Sequence, residues 1–268
     1  MTRPNAQPAD RTIGLAGKEM HTMSGHEFVS SYDDASGIDT STEQTRIGEH
    51  TIEEMRGLAA RYPDRRSALL PMLHLVQSVD GYLSNAGIKI CAEVLGLTTA
   101  QVNGVATFYS MYKRRPPGRH HIGVCTTSVC AVLGGDILLE HMEQRLGIHE
   151  GETSPDGQFS LERIECNAAC DFAPIMMVNW EFMDNMTPEK ADELIDRLAA
   201  GKPVQSTRGA TVVDWKQAER VLAGFDDGRA DEGPSAGDAS LRGLEIARRN
   251  DWHAPDDPGS GSLGEEQK

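Results

Sequence analysis

Four of the five cysteines in the 268-residue chain fall into two short-spaced pairs. The stretch "GVCTTSVCAVLGG" carries Cys125 and Cys130 as C-x4-C, and "IECNAACDFAP" carries Cys166 and Cys170 as C-x3-C. A thiolate is a soft, anionic ligand, and each short pair is pre-positioned by its own loop. The fold then has only two loops to bring together. Zinc also takes four thiolates, but its pairs run C-x2-4-C, which the second pair satisfies and the first meets only at the limit. A dithiol redox motif is usually C-x-x-C and needs one pair alone. Four inert buried thiols would not be grouped two and two. Iron–sulfur ligation by four thiolates fits the pattern best.

Other reactive residue types have plainer roles. Cys91 lies on an apolar helix face and reads as core. His120 and His121 would suit a Rieske centre only if two cysteines were missing from the set, so they read as strand-end residues. His74 and His141 read as helix-face residues. Gly134 and Gly135 complete neither G-x-G-x-x-G nor a P-loop, so no nucleotide site is expected on this chain. They would instead let the backbone approach closely at a helix start.

The elements that must position the cysteines follow from periodicity. "TIEEMRGLAARYP" pairs Thr51 with Glu54 in capping-box spacing, with Ile52, Met55 and Ala59 along one side. "SALLPMLHLVQSVDG" puts Leu69, Met72, Leu73 and Val76 on one face, with Pro71 in the first turn. "AGIKICAEVLG" aligns Ile88, Cys91, Ala92 and Leu95. "TTAQVNGVATFYSMY" opens on a Thr98–Gln101 capping box and offers Val102, Val105, Tyr109 and Tyr112. Four helices on short turns predict a bundle over 49–116. Beyond it the period changes. "HHIGVC" predicts a strand ending at Cys125. "GDILLEHMEQRLG" predicts a helix with Ile137, Leu138, Met142 and Leu146 inward. "SPDGQFSLERIEC" predicts a turn and a strand running into Cys166. "PIMMVNW" predicts another strand, and "TPEKADELIDRLAAGK" a helix with Pro188 at its first position. The order β, α, β, β, α predicts a small sheet covered by helices over 117–205, with both cysteine pairs beyond strand ends.

Residues 1–48 and 226–268 are rich in Pro, Gly, Ser and Asp and lack lasting periodicity. They are expected to be a disordered leader and an acidic, mostly disordered tail, with a C-terminal extension over 206–225. Within the tail, "LRGLEIARRNDW" is expected to be a loose, partly helical stretch, the alternative being a docking peptide anchored by Leu244 and Trp252. The low hydrophobic content of 38% and the mean hydropathy of −0.43 agree with unfolded ends. A net charge of −15 opposes binding to nucleic acid or an acidic membrane surface. No apolar run approaches the roughly 18 residues of a spanning helix, and "TIGLAGKEMHTM" is too broken for a signal peptide. A cytoplasmic location is expected, where clustered cysteines serve as ligands rather than disulfides.

Taken together, "RSALLPMLHLVQ", "VATFYSMY", "CTTSVC", "DGQFSLERIECNAAC" and the Ala-Pro after Cys170 resemble the E-subunit family of NADH–quinone oxidoreductase, respiratory complex I. The resemblance covers about residues 50–200. It implies an α+β fold: an N-terminal helical bundle, then a thioredoxin-like α/β domain holding one [2Fe–2S] cluster, with disordered tails. It implies Cys125, Cys130, Cys166 and Cys170 as the ligands, and Pro174 as the proline facing the active loop of thioredoxin-like folds. It also implies an electron-transfer role beside the subunit that binds FMN and NADH, and near the large iron–sulfur subunit, in the arm on the cytoplasmic face of the membrane. FMN and NADH would then bind elsewhere. A related subunit of an NAD-linked hydrogenase or formate dehydrogenase is the neighbouring alternative; a zinc-stabilised adaptor is the alternative of another class. The second motif departs from the family's E-C-L-G-A/S-C, because Asn167 and Ala168 replace an apolar residue and a glycine. A polar amide there is expected to alter hydrogen bonding to the cluster. The bundle is rich in apolar and aromatic positions such as Phe108, Tyr109 and Tyr112; its own core needs only some of them, and the remainder are expected to be exposed and to dock it on the flavin-bearing subunit.

Overall fold

The computed structural model describes residues 45–229, 231–233 and 238–252. Most of the expected leader and the end of the expected tail lie outside them. The described chain starts inside the span assigned to the leader: Ile47 is buried in the bundle core, and the Thr45 hydroxyl donates to Asp80.

The bundle comprises α1 (Glu49–Ala59), α2 (Leu69–Asp80), α3 (Asn85–Leu95) and α4 (Thr99–Phe108), with a 3-10 turn at Arg65–Ala68 before α2. The α1 start is corrected. Gly48 is its N-cap without a side-chain bond, and Thr51 points into the core rather than capping. The Thr98–Gln101 capping box of α4 forms in both directions. Apolar residues expected on the inner faces of α2 and α3 are buried there, Cys91 among them, except Leu95, which is only partly buried at the end of α3. Helix α4 stops at Phe108, because Tyr109 takes an extended conformation. That turns Tyr112 inward, where it is 7% exposed and its hydroxyl donates to Leu70 O. Tyr112 is therefore one of the aromatics the core takes, and Phe108 and Tyr109 are the ones left exposed.

The second half holds β1 (His120–Cys125), α5 (Ser128–Val132), α6 (Gly135–Leu146), β2 (Phe159–Ile164), β3 (Met176–Val178), β4 (Glu181–Met183) and α7 (Pro188–Ala199). The sheet order is β2-β1-β3-β4, with β1 parallel to β2 and antiparallel to β3, and β3 antiparallel to β4. Helix α6 buries Leu138, Leu139 and Met142; Ile137, expected inward, points to solvent. Strand β2 ends at Ile164, two residues before Cys166. Thr187 caps α7 with Pro188 at its first position.

Helix α8 (Trp215–Leu222) returns from the second half to pack across α2 of the bundle. The seam is polar. Glu219, wholly buried, accepts from Gln77 Nε2 at 2.6 Å and Trp180 Nε1 at 2.9 Å, and its carboxylate lies 2.6 Å from His74 Nδ1. Trp215 donates from its indole to Gly81 O at 2.7 Å and from its backbone to Arg119 O. His120 and His121, expected as plain strand-end residues, are buried: His121 packs on the Trp180 and Trp215 rings and contacts Glu162 at 2.7 Å. Helix α9 (Asp238–Arg249) replaces the expected partial helix in the tail, with Leu244 and, just beyond it, Trp252 exposed.

Candidate metal centre

The two cysteine loops leave the sheet at one pole. Cys125 ends β1, and Cys130 sits on α5 directly after the turn; both are buried. Cys166 lies in the loop after β2 and is exposed, while Cys170 starts a 3-10 turn and is half-buried. Gly135 makes the first loop possible. A Cβ on it would stand 2.4 Å from Cys125 O and 2.9 Å from Cys130 O, so only glycine lets α6 start against this loop. Gly134 before it caps α6 at φ 103°, a left-handed conformation suited to glycine.

The four sulfurs form two facing pairs. The Cys166 and Cys170 sulfurs are 3.5 Å apart, and Cys125 is near enough to Cys130 to push that thiol's pKa up. Thr127 joins the pairs, because its hydroxyl lies 3.4 Å from Cys125 Sγ and also hydrogen-bonds Cys166. Cys170 is close enough to Cys125 and Cys130 to couple with them electrostatically. Among the described residues, no three His, Cys, Asp or Glu side chains converge to hold a single ion. Two thiol pairs on neighbouring loops offer four soft ligands, the donor set that an iron–sulfur core takes.

The environment differentiates the thiols. Burial pushes Cys130 up to about 11, helped by neighbouring Cys125 and opposed by an Ile175 backbone hydrogen bond. The Ala168 backbone N–H, 3.4 Å from Cys166 Sγ, draws that thiol down. Its neighbour Cys170 is raised, first by the bond to Cys166 and then by burial. Cys125 and Cys130 rest on an apolar floor of Ile164, Ala169, Ala173, Ile175 and Met177. The sulfurs thus draw backbone donors from Ala168 and Ile175.

Two details of the second motif emerge only in three dimensions. Ala168 adopts φ +56°, the left-handed region that favours glycine. Asn167 turns its amide to Glu165 O, 3.0 Å away, rather than to a sulfur. The expected change in cluster hydrogen bonding therefore comes from neither Asn167 nitrogen nor a lost donor, since Ala168 keeps its N–H on Cys166. The Ala173–Pro174 peptide is cis. Cys91 is remote from this pole in kind: burial in the bundle raises it to about 12.

Fold and site together define a thioredoxin-like [2Fe–2S] ferredoxin, and the family model of that description matches residues 55–199. The E subunit of NADH-quinone oxidoreductase from Mycobacterium tuberculosis (strain ATCC 25618 / H37Rv) is 52% identical over 208 residues, covering 77% of this chain and 82% of the relative. The second E subunit of the same enzyme from Rhizobium meliloti (strain 1021) is 39% identical over 158 residues, covering 59% and 94% respectively. Among solved structures, an air-oxidised NAD+-reducing [NiFe]-hydrogenase aligns at 23% identity with a TM-score of 0.45, over 50% of this chain and 23% of that one. The chain belongs to the thioredoxin-like [2Fe-2S] ferredoxin family and, within it, to the E-subunit family of NADH-quinone oxidoreductase.

Proposed function

We propose that the chain is the electron-transfer subunit of an NADH–quinone oxidoreductase, holding one [2Fe–2S] cluster through Cys125, Cys130, Cys166 and Cys170. In this reading it sits beside the subunit that binds FMN and NADH and near the large iron–sulfur subunit, in the arm at the cytoplasmic face. The observation that carries the reading is the meeting of two cysteine pairs at one pole, bridged by Thr127. Among the described residues no helix is long and apolar enough to cross a membrane, which suits a subunit held by other subunits.

When bound, the cluster would supply a one-electron carrier. The chain's own residues set the conditions for it. A four-thiolate [2Fe–2S] centre is anionic and gains further negative charge on reduction, which the apolar floor disfavours. The Ala168 and Ile175 backbone donors favour the added charge, since hydrogen bonds to anionic sulfur are strengthened in low dielectric. Exposed Cys166 and the apolar rim of Val129, Val132, Leu133 and Ile137 mark the side that the redox partner covers.

Iron and sulfide analysis of the purified chain tests the reading, with two of each expected per chain. Each of Cys125→Ser, Cys130→Ser, Cys166→Ser and Cys170→Ser should lower the content or change the electron paramagnetic resonance signature, and Cys91→Ser should leave both intact. Stoichiometric zinc in the native complex, or cluster loss in Cys91→Ser, would overturn the assignment. Co-purification with hydrogenase subunits would move the chain to the NAD-linked hydrogenase alternative.

A further inference from the structure

We propose that Arg208 is the positioning residue of the second cysteine loop, a role that rests on the cluster assignment above. The Cys166–Cys170 loop has weak fastenings of its own. Its Asn167 and Ala168 bonds both close within the loop, Ala168 is in a left-handed conformation, and Cys166 is exposed. Beyond the Thr127 contact at Cys166 and the burial of Ala169 in the floor, it is attached two residues after Cys170, at Phe172.

There the Arg208 guanidinium stands between two rings, 4.8 Å from the Phe172 centroid and 4.5 Å from the Phe182 centroid. The same guanidinium forks Asp184, through Nε at 3.1 Å and through Nη2. A planar cation with a fixed fork can do both at once, whereas an ammonium cannot. Thr207 seats the arginine by donating from its backbone and hydroxyl to Phe182 O, both at 2.9 Å. The Asn185 backbone N–H donates to Phe172 O at 2.8 Å, so the segment after β4 grips Phe172 from a second side. Phe172 and Phe182 in turn pack against the apolar floor beneath Cys125 and Cys130. Arg208 thus ties the loop bearing Cys166 and Cys170 to the edge strand β4 and to the floor under the other pair.

The test uses the full-length, cluster-loaded chain and follows loss of visible absorbance to an iron chelator. Arg208→Met should release the cluster about fivefold faster, the scale of one partly desolvated cation–π contact with its fork. Arg208→Lys, which keeps a cation over the rings but loses the fork, should fall between. Asp184→Asn is the milder variant should Arg208→Met fold poorly, and it too should accelerate release. Arg145→Met breaks an ion-pair set with Asp192 and Asp196 elsewhere on the same domain and should leave release within about twofold of the parent. Thermal unfolding of the cluster-free chains supplies the structural readout, in which Arg208→Met and Arg145→Met should lose similar amounts. Parental release by Arg208→Met and Asp184→Asn, or equal acceleration by Arg145→Met, would overturn the role. A parent chain lacking iron and sulfide would overturn the cluster assignment, and this role with it.

Discussion

Replacing Glu219 tests the structural logic most directly. Its carboxylate has no solvent exposure and meets groups from two neighbouring elements: His74 and Gln77 on α2 and Trp180 at the β3–β4 turn. In Glu219→Ala those groups lose their common acceptor inside a closed seam. A hydrogen bond to a charged group contributes about 1.5–3 kcal/mol net, and an orphaned buried donor costs about 1–3 kcal/mol. The terms overlap, so with three partners losing one shared acceptor the whole loss is about 3–5 kcal/mol. For a folded unit of this size, each 1 kcal/mol moves Tm by about 2–4 °C, giving a fall of roughly 6–20 °C. Glu219→Gln keeps the volume and one carbonyl oxygen, and should lose about half as much. Thermal and urea unfolding measure both variants, and near-ultraviolet circular dichroism reports Trp180 and Trp215, which line the seam. The double variant His74→Ala/Glu219→Ala should lose less than the sum of the single losses, because both remove one interaction. A Glu219→Ala chain within about 1 kcal/mol of the parent would refute the seam as a source of stability.

Acid should destabilise the chain in two stages. Burial, with a contribution from Arg119, lowers His120 from 6.5 to about 4, so the unfolded chain takes that proton first and stability falls as pH drops from 6.5 to 4. Glu162 is pulled from 4.5 to about 2, as His121 and Lys113 outweigh the upward push of burial; its contribution is lost between pH 4.5 and 2. In Tm measured against pH, His120→Phe should make the upper limb shallower, and an unchanged slope would exclude His120 as its source. Ala168→Gly relieves about 1–2 kcal/mol of left-handed strain. It also returns about 0.4–1 kcal/mol of unfolded-state entropy, so unfolding should show a gain below about 1.5 kcal/mol; a loss would mean the alanine methyl is packed. For docking, Val132→Glu/Ile137→Glu should weaken co-purification with the flavin-bearing subunit at least tenfold, as expected of a desolvated interface core. Phe108→Ser/Tyr109→Ser tests the bundle's share, and wild-type recovery in either pair would clear that patch.

What the sequence revealed was what local chemistry controls. Thr98 with Gln101 and Thr187 with Pro188 mark helix starts through bonds made within four residues, and both starts are where the pattern put them. The four ligand candidates were legible because groups serving one centre must be paired on loops. Features set by distant contacts were not. Helix α8 is short, and it buries Glu219 beside Trp215 while Val221 and Leu222 stay exposed, so its apolar residues do not mark the face that packs. Strand β4 has three residues and a half-buried Glu181, too little for an alternation to register. Which of Phe108, Tyr109 and Tyr112 the core takes was not legible, because nothing nearby signals that the helix unwinds at Tyr109. Ile137 and Leu139 are nearly equivalent in sequence, and only the placement of α6 over the sheet decides that Leu139 is the one buried. The Arg208 stack joins residues far apart in the chain and had no local signature at all.

Helix α8 also changes how the two halves can be separated experimentally. The bundle and the sheet each have an apolar core, yet Ala223, just beyond α8, lies in the bundle core, and Trp215 and Glu219 close the seam. A fragment of residues 116–225 would leave Glu219 without His74 and Gln77, and Trp215 without Gly81 O. Lost partner binding by that fragment would therefore mix a missing docking surface with a disrupted seam. Point changes on exposed Phe108 and Tyr109 leave every seam bond in place, so only they isolate docking by the bundle. A polar seam suits a fixed orientation better than an apolar one, because hydrogen bonds hold direction while apolar contacts slide. In the electron-transfer role proposed here, that orientation would fix where the cysteine pole faces relative to a partner held by the bundle. Glu219 variants should accordingly weaken partner binding even though Glu219 is enclosed within the seam, and the loss should track the near-ultraviolet change at Trp180 and Trp215.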